Sequence, residues 1–230
     1  MTQLAVLFED NHIIAINKRC GDIVQGDKTG DPTMGDEVKE YLKEKYKKPG
    51  NVFLGVTHRL DRPTSGAVLF ARTSKALTRL NEMFKEDRSI QKTYWAVVDK
   101  KPELLTSQLN HWLVRDTKQN KSVAYSTEKK ESKRASLTSR YLNSSDRFHL
   151  IEIELHTGRH HQIRAQLAAI GLHIKGDLKY GFTRSNSDGG IHLHARKIEF
   201  IHPVTGDAIT IVAPPPNDPV WNYFIRAIEG

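Results

Sequence analysis

The chain has 230 residues, of which 38% are hydrophobic and 27% are charged, and this composition excludes a disordered or fibrous protein. The formal net charge of +8 favours an anionic partner, with nucleic acid as the first candidate and simple solubility as the alternative. The single cysteine, Cys20, excludes an intramolecular disulfide and any multi-cysteine metal site.

The N-terminal residues Met1–Asp10 lack a basic lead and become acidic, which is not the pattern of a signal peptide. No apolar run approaches the roughly 20 residues that a membrane-spanning helix needs. We therefore predict a cytoplasmic protein that does not contact a membrane. We also expect a monomer with one domain over residues 1–230.

Short apolar runs separated by turn residues dominate the first half of the chain. We predict, in chain order, a hairpin of Leu4–Phe8 and Ile13–Ile16, a solvated helix over Asp36–Lys47, a strand at Val52–Val56, a helix capped by Thr73 or Ser74, and a strand at Gln91–Val98.

The second half contains a polar interruption, residues 115–136, which we interpret as an exposed basic loop or loose hairpin. The predicted elements after it are an antiparallel pair (Ser136–Leu142 and Phe148–Leu155), a helix over His160–Ile170 stopped by Gly171, strands at Ile191–Ile201 and Ala208–Val212, and a helix from about Pro219 to Ile228. Hairpin-connected strands with a few helices predict an α+β domain, and the lack of regular β-α-β alternation argues against a Rossmann fold.

The most informative segment is His58-Arg59-Leu60-Asp61-Arg62-Pro63-Thr64-Ser65-Gly66, which precedes an apolar run. It places the carboxylate of Asp61 between two arginines at the entry to a buried strand, where fixed positive charge favours the ionised form. Gly66 permits close backbone approach, and Thr64 offers a hydroxyl group beside the acid. The alternative is that Asp61 makes only surface salt bridges. The small and polar residues that follow it favour a functional site.

The segment Thr157-Gly158-Arg159-His160-His161-Gln162-Ile163-Arg164 supplies cations and polar donors about a hundred residues later. If the helix begins at His160, then His160 and Arg164 share one face, with His161 beside them. A zinc site formed with His156 is the competing interpretation, but no recognised ligand spacing supports it, and we predict no metal. For His192 and His194, on one strand face, a structural or RNA-contact role is favoured over metal ligation.

Lys92-Thr93-Tyr94-Trp95 places aromatic residues beside a lysine in a strand. Core packing of Tyr94 and stacking of a nucleobase on its ring both fit this pattern. The chain has no Walker loop, no G-x-G-x-x-G and no serine nucleophile elbow, so we predict neither a nucleotide nor any other cofactor.

Three segments together resemble the signature motifs of RluA-type RNA pseudouridine synthases: residues 58–66, Lys92-Thr93-Tyr94, and residues 157–164. Further similarity lies in Phe8-Glu9-Asp10, Asn17-Lys18, residues 176–181, Leu193-His194-Ala195 and His202-Pro203. The resemblance covers nearly the whole chain in the order of the family. It implies an isomerase that converts uridine to pseudouridine in ribosomal or transfer RNA. It also implies the pseudouridine synthase α+β fold, an antiparallel or mixed sheet flanked by helices with the active-site cleft across it.

The resemblance also implies residue roles. Asp61 takes the position of the catalytic aspartate, and Tyr94 that of the tyrosine that stacks on the target base and assists proton removal from C5. Arg164 corresponds to the basic residue that pairs with the aspartate, and Arg59 to an arginine associated with base flipping. The carboxylate would act as a nucleophile, at the sugar or at the base ring. We assign the remaining contacts to RNA to a group of polar and basic residues: Arg62, Thr64, Arg159, His161, Gln162 and His194.

The chain departs from the family pattern in three places. Lys18-Arg19-Cys20-Gly21 stands where the family often has Lys-Pro-x-Gly, and Thr57 stands where an apolar residue or proline is common. We expect the chain to lack the N-terminal S4-like RNA-binding domain that many relatives carry. The catalytic domain is therefore expected to bind RNA alone or with help from the basic segment around Lys118–Arg134.

Two other function classes compete with an RNA isomerase. A non-catalytic RNA-binding or assembly factor would not require Asp61, Tyr94 and Arg164 together, and an Asp61→Ala variant separates the two classes. A metal-dependent hydrolase would lose its activity in the presence of a chelator, which we do not expect here.

Overall fold

The computed structural model describes residues 4–26, 32–85 and 89–229, which form four helices and eleven strands. The helices are α1 (Met34–Lys45), α2 (Ser74–Lys85), α3 (Gln162–Ala169) and α4 (Pro219–Glu229). The strands are β1 (Val6–Glu9), β2 (Ile13–Lys18), β3 (Gly55–Val56), β4 (Ser65–Ala71), β5 (Ile90–Val98), β6 (Thr106–Asp116), β7 (Lys121–Tyr125), β8 (Lys133–Ser144), β9 (His149–Leu155), β10 (Leu193–Ile201) and β11 (Ala208–Val212). This is the predicted α+β class. No described helix has the length and apolar character needed to span a membrane.

The chain divides into two compact units, residues 1–91 with 195–214 and residues 92–194 with 215–230. This division does not test the prediction of a single domain, which stays a prediction. Each unit has a core of its own, and each contains one of the two long motifs.

The first unit is built on antiparallel pairs in which β2 lies between β1 and β4, β3 pairs with β4, and β10 pairs with β11. All seven residues of β4 are buried. Helix α2 packs its apolar face against the same core through fully buried Leu80 and partly buried Leu77 and Met83. Thr73 caps this helix, since its Oγ1 accepts a hydrogen bond of 3.2 Å from the backbone N–H of Ala76.

The second unit contains an antiparallel sheet in which β5 pairs with β9, β9 with β8, β8 with β6, and β6 with β7. On β5 the side chains alternate as predicted: Trp95 and Val97 pack with Trp221 and Phe224 of α4. The predicted C-terminal helix is confirmed, and Asp218 caps it by accepting hydrogen bonds from Val220 N and Trp221 N at 2.9 and 3.1 Å.

Most predicted elements are present; the errors are shifted boundaries and one missed strand, β6 (Thr106–Asp116), where no element was predicted. The first hairpin and the β8–β9 pair are confirmed. The polar interruption at residues 115–136 is an ordered hairpin, because β7 pairs with the end of β6. The predicted strand at Val52–Val56 is reduced to Gly55–Val56, and the predicted helix at His160–Ile170 begins only at Gln162.

A close backbone contact fixes the position of Gly66 at the start of β4. Its φ of +116° is in the region that favours glycine, and a Cβ at this position would overlap the backbone N and O of Ala195. The expectation that Gly66 permits close approach is confirmed.

We predict that Gly66→Ala lowers the free energy of unfolding by about 3 kcal/mol or more, because backbone strain and overpacking add together. Gly206→Ala is the matched control, since Gly206 also has a positive φ of +85° but has no atom within 4 Å of the added Cβ. Chemical denaturation of both variants measures the difference. Equal losses of about 1 kcal/mol would contradict the close-contact explanation.

Candidate active site

Asp61 lies in the loop 57–64 that joins β3 to β4, and its side chain is half-buried. The loop is fastened to β4 at its start by two side chains. The hydroxyl of Thr57 donates to the carbonyl of Leu69 at 2.5 Å, and Nε2 of His58 accepts from the backbone N–H of Leu69 at 3.0 Å. These two side chains occupy the backbone N–H and carbonyl of Leu69, with which a longer β3 would have formed hydrogen bonds. This explains why β3 is short. Thr57, a departure from the family pattern, therefore has a structural role.

Lys18, the last residue of β2, holds the other end of this loop. Its side chain is 1% exposed, and Nζ donates three hydrogen bonds to backbone carbonyls: 2.9 Å to Arg19, 3.0 Å to Arg62 and 2.8 Å to Thr64. The Arg62 carbonyl also accepts from the N–H of Gly21 at 2.9 Å. The Lys-Arg-Cys-Gly turn that replaces the usual family sequence thus still contacts the segment that follows Asp61.

Burial lowers the pKa of Lys18 to about 8, and the negative charges of Asp22 and Asp61 only partly offset this shift. A buried cation at this position adds positive potential beside the Asp61 carboxylate. Sequence reasoning missed the role of Lys18, because its three acceptors lie up to 46 residues away in the chain.

The other predicted site residues of this unit differ in exposure. Arg59 and Arg62 are exposed, which is compatible with their predicted contacts with RNA. Thr64 is 2% exposed, and its Oγ1 is buried without a hydrogen-bond partner among the described residues. The backbone N–H of Thr64 donates to the carbonyl of Asp61 at 3.0 Å and closes the turn after the acid.

In the second unit, the loop before α3 is held by the side chain of Gln162. Its Oε1 accepts from the N–H of Arg159 at 3.0 Å and from the hydroxyl of Thr157 at 2.8 Å, while Nε2 donates to the carbonyl of Ser136 at 3.1 Å. Gln162 is 3% exposed. These contacts support a positioning role, and the predicted contact of Gln162 with substrate stays a prediction.

The two histidines before α3 do not form its first turn, which corrects the predicted start at His160. His161 has a φ of +51°, in the left-handed region, and this backbone conformation stops the helix from extending further toward the N-terminus. The prediction that His160 and Arg164 share a helical face was therefore wrong. The His160 and His161 rings stack at 3.9 Å, and their Nδ1 atoms form hydrogen bonds with Ser122 Oγ (2.9 Å) and Tyr180 OH (3.0 Å).

Arg164 is the buried cation of α3, and Asp177 is its carboxylate partner within this unit. Nε donates to Oδ2 at 2.7 Å and Nη2 donates to Oδ1 at 2.8 Å, and the two side chains are 5% and 1% exposed. The guanidinium also lies 4.9 Å from the centroid of the Tyr180 ring. A bidentate contact fixes the plane of the guanidinium and offsets part of the cost of burying its charge. Sequence reasoning did not identify Asp177 as a partner.

Tyr94 lies on β5 opposite Ile153 of β9 and is 8% exposed. It points to the face of β5 opposite that of Trp95 and Val97. Two residues earlier, burial lowers the pKa of Lys92, whose Nζ lies 3.8 Å from the ideal Cβ position of Gly158. In this unit, Lys92 therefore lies beside the loop that leads to His161.

The remaining predicted residues are divided between surface and core. Arg159 is exposed, and its Nε donates to the carbonyl of Arg134 at 3.1 Å. His194 is fully buried, and its ring lies edge-on to Trp221 at 6.0 Å, so its contacts support the structural role. His192 stacks on the same tryptophan, and Nε2 forms a 2.9 Å hydrogen bond with Asp218.

The histidines considered for zinc bind hydroxyl groups in this structure. Nε2 of His156 is 2.8 Å from Thr138 Oγ1, and His160 and His161 bind Ser122 and Tyr180 as described above. Over the ranges that the structure describes, no three His, Cys, Asp or Glu side chains are grouped as metal ligands would be.

A comparison with protein families decides between the function classes. The model of the family described as RNA pseudouridylate synthase matches residues 12–169, which contain the Asp61 loop, Tyr94 and Arg164. The chain belongs to the RNA pseudouridylate synthase family. Members of this family are isomerases that convert uridine to pseudouridine in RNA.

Individual pseudouridylate synthases support this assignment. The chain is 31% identical over 94% of its length to the ribosomal large subunit pseudouridine synthase D of Zymomonas mobilis, and 29% identical over 92% of its length to the tRNA pseudouridine synthase C of Pectobacterium carotovorum. It spans 70% of the first relative and 59% of the second.

Among solved structures, human RNA pseudouridylate synthase domain containing 4 is similar over 98% of this chain and 93% of its own chain. The TM-score is 0.77 and the identity 22%, which shows the shared fold. The pseudouridine synthase fold predicted from the motifs is confirmed.

We predict that Lys18 gives the protein a distinct pH dependence of stability. Between its folded pKa of about 8 and the value of about 10.4 for a lysine in an unfolded chain, the unfolded state binds more protons. The contribution of Lys18 to the free energy of unfolding is therefore fully present above about pH 10.4, the pKa of lysine in the unfolded chain, and it is lost as the pH falls through 8.

The measurement is urea denaturation of wild type and Lys18→Met at pH 7.5 to 10.5. The difference in unfolding free energy, wild type minus variant, should rise with pH by on the order of 2–3 kcal/mol. Other titrating groups cancel in this difference. A difference that does not change with pH would show that Lys18 is not a buried cation.

Proposed function

We propose that this chain isomerises specific uridines in ribosomal or transfer RNA to pseudouridine, with Asp61 as the catalytic nucleophile. The observation that carries the proposal is the loop of Asp61, which has the family motif and is fastened at both ends, by Thr57 and His58 and by Lys18. A catalytic carboxylate must be held within a fraction of an ångström of its working position.

The reaction needs a nucleophile and proton transfer but no redox partner. The N1–C1′ bond of uridine breaks, a C5–C1′ bond forms, the hydrogen on C5 leaves as a proton and N1 gains one. A carboxylate can form a transient covalent bond either with C1′ of the sugar or with the base ring, and both routes remain open for Asp61. Water is not consumed in the net reaction.

We propose further that Tyr94 stacks on the target base and assists removal of the C5 proton, as the family motif implies. Its position on a buried strand supports this role, because a ring at 8% exposure is held in one place by its surroundings. For Arg164, we propose that it pairs with Asp61 and orients it. The bidentate contact with Asp177 supports this role because it uses Nε and Nη2 and holds the guanidinium plane fixed.

The exposed arginines Arg59, Arg62 and Arg159 are proposed to contact the RNA, with Arg59 assisting extrusion of the target uridine. Contacts of Thr64, His161, Gln162 and His194 with substrate are part of the same proposal. Because the arginines neutralise phosphate charges, the affinity for RNA is expected to fall as the salt concentration rises. We also propose that the protein acts as a monomer in the cytoplasm, without a cofactor.

The central test of this function replaces Asp61. In cells that lack the gene, pseudouridine mapping of total RNA should show loss of one or a few sites, restored by wild type but not by Asp61→Ala or Asp61→Asn. Both variants should keep RNA binding, because the carboxylate makes no favourable contact with phosphate. Asp207→Asn, at an exposed acid of the same unit, is the control that should restore the sites.

If Asp61→Ala restores the missing pseudouridine sites, Asp61 is not the nucleophile. No missing site in cells without the gene, together with tight RNA binding by the purified protein, would favour the non-catalytic RNA-binding factor.

Tyr94→Phe tests proton removal separately from stacking. The ring remains, so KM should stay within about twofold, but kcat should fall by roughly 100-fold or more, the usual contribution of a positioned base. RNA with deuterium at C5 of uridine should react more slowly than protonated RNA with this variant, since proton removal becomes the slow step. Full activity of Tyr94→Phe would leave only a packing role for this tyrosine.

A further inference from the structure

The hairpin of β6 and β7 and the adjacent strand β8 carry aromatic and basic side chains in register. Trp112 of β6 lies opposite Tyr125 of β7 on one side and opposite Arg134 of β8 on the other. Val114 and Val123 form the next pair on the same face. Because directly opposed residues of antiparallel strands point to the same side of a sheet, these five side chains form one surface, which we call the hairpin face.

The opposite side of these strands is a core. Leu113 and Ala135 are buried there against Ala165 of α3 and against Tyr180. The hairpin face points away from that core. Within it, Tyr125 is 36% exposed, Val123 is 40% exposed and Arg134 is also exposed, while Trp112 is half-buried. The core on the other side of the sheet does not cover this tryptophan and tyrosine. Large aromatic side chains that stay partly exposed side by side indicate a binding surface.

The segment that carries this aromatic pair has an excess of positive charge, although not all of it lies on the hairpin face. The Nζ atom of Lys121 lies 5.0 Å from the centroid of the Tyr180 ring, and Lys133 lies opposite Leu113 on the core side. Residues 112–134 contain seven cations and three acids, an excess of +4 in a chain whose net charge is +8. No cation of this segment forms an ion pair with another residue that the structure describes, and the seven are Arg115, Lys118, Lys121, Lys129, Lys130, Lys133 and Arg134. The Nζ atom of Lys129 lies 5.8 Å from the centroid of the Tyr125 ring.

The positive charge of the hairpin face does not continue onto β9. On the same side, Thr138 of β8 lies opposite Glu154 of β9, and Arg140 lies opposite Glu152. The Arg140–Glu152 pair is closed by a 2.7 Å ion pair, while Glu154 is exposed. A polyanion is therefore attracted to the β6–β7 end of this surface and not to its β9 edge.

We propose that the hairpin face docks a single-stranded segment of the substrate RNA, with bases stacked on Trp112 and Tyr125 and phosphates close to the surrounding lysines and arginines. This proposal rests on the proposed function, because it identifies the surface with which the enzyme holds RNA outside the reacting uridine. Aromatic rings accept any base by stacking, and lysines follow the backbone without reading sequence. A duplex does not fit as well, because the faces of its bases are covered by their neighbours.

A second copy of this chain is the other occupant to consider, since β7 is an edge strand. The charge argues against it: two copies would bring the same excess of +4 together across the contact. The unpaired cations favour a polyanion instead.

Tryptophan fluorescence gives a direct test with the full-length protein and an unlabelled 12-nucleotide oligouridylate. Trp95 and Trp221 are buried at 6% and 2% exposure, so Trp112 is the tryptophan that a bound base can reach. Saturating RNA should quench the emission of wild type. Trp112→Phe keeps an aromatic ring but should lose the quenching.

Affinity measurements with the same probe test the aromatic pair. Tyr125→Leu should weaken binding by roughly 5- to 100-fold, the usual effect of losing one stacking ring, while Tyr125→Phe should bind like wild type. The control is Tyr223→Leu, at a tyrosine of α4 that is 44% exposed in the same unit, and it should not change affinity. Lys129→Gln and Lys130→Gln should each reduce the slope of log affinity against log salt by about 1.

The proposal fails if Tyr125→Leu, folded by circular dichroism, binds the oligonucleotide as tightly as wild type, or if saturating RNA leaves the wild-type emission unchanged. It also fails if wild type dimerises in sedimentation and Tyr125→Leu does not, because the hairpin face would then bind a second copy. Failure of the proposed function gives a different result. If Asp61→Ala still forms pseudouridine, Asp61 is not the nucleophile. If Asp61→Ala forms no pseudouridine but its tryptophan emission is still quenched by oligouridylate, both proposals are supported.

Discussion

Three hydrogen bonds from one buried ammonium group hold the segment on which this site depends. Nζ of Lys18 donates to the carbonyls of Arg19, Arg62 and Thr64, and so fastens the end of β2 to the residues that follow Asp61. Burying a lysine is costly, and burial lowers its pKa to about 8. Three backbone acceptors compensate part of this cost, and two of them, the carbonyls of Arg62 and Thr64, restrain the turn after Asp61. Without these bonds, the Asp61 loop would be held mainly at its start, by Thr57 and His58.

The second unit also holds its motif residues with buried polar contacts. The carboxylate of Asp177 binds the guanidinium of Arg164 in bidentate fashion, and the amide of Gln162 binds two groups of the loop before α3 and the carbonyl of Ser136 in β8. The Arg164–Asp177 contacts are buried and the Gln162 contacts are partly buried, so water competes with them less than at the surface. In each unit, then, polar side chains fix the backbone around the residues that carry the family motifs. The segments that resemble the family therefore also contain residues that hold other motif residues in place.

The sequence was informative where structure is local and less so where it depends on distant residues. The first hairpin, the Thr73 cap and the close approach at Gly66 follow from neighbouring residues, and all three are present. The start of α3 was misplaced because the left-handed backbone at His161 has no signature in a non-glycine residue. The roles of Lys18 and Asp177 were missed because their partners lie far along the chain or on another element. The motifs identified the family, but the supports became visible only in three dimensions.

The positioning of the Asp61 carboxylate by Lys18 is tested most directly by the release of the C5 hydrogen. RNA carrying tritium at C5 of uridine would be incubated with wild type and with Lys18→Met at pH 7, under conditions where both are folded. We predict that the variant binds RNA with unchanged affinity but releases tritium at least tenfold more slowly, because the Asp61 loop no longer has one fixed conformation. Release at the wild-type rate by Lys18→Met would contradict the account.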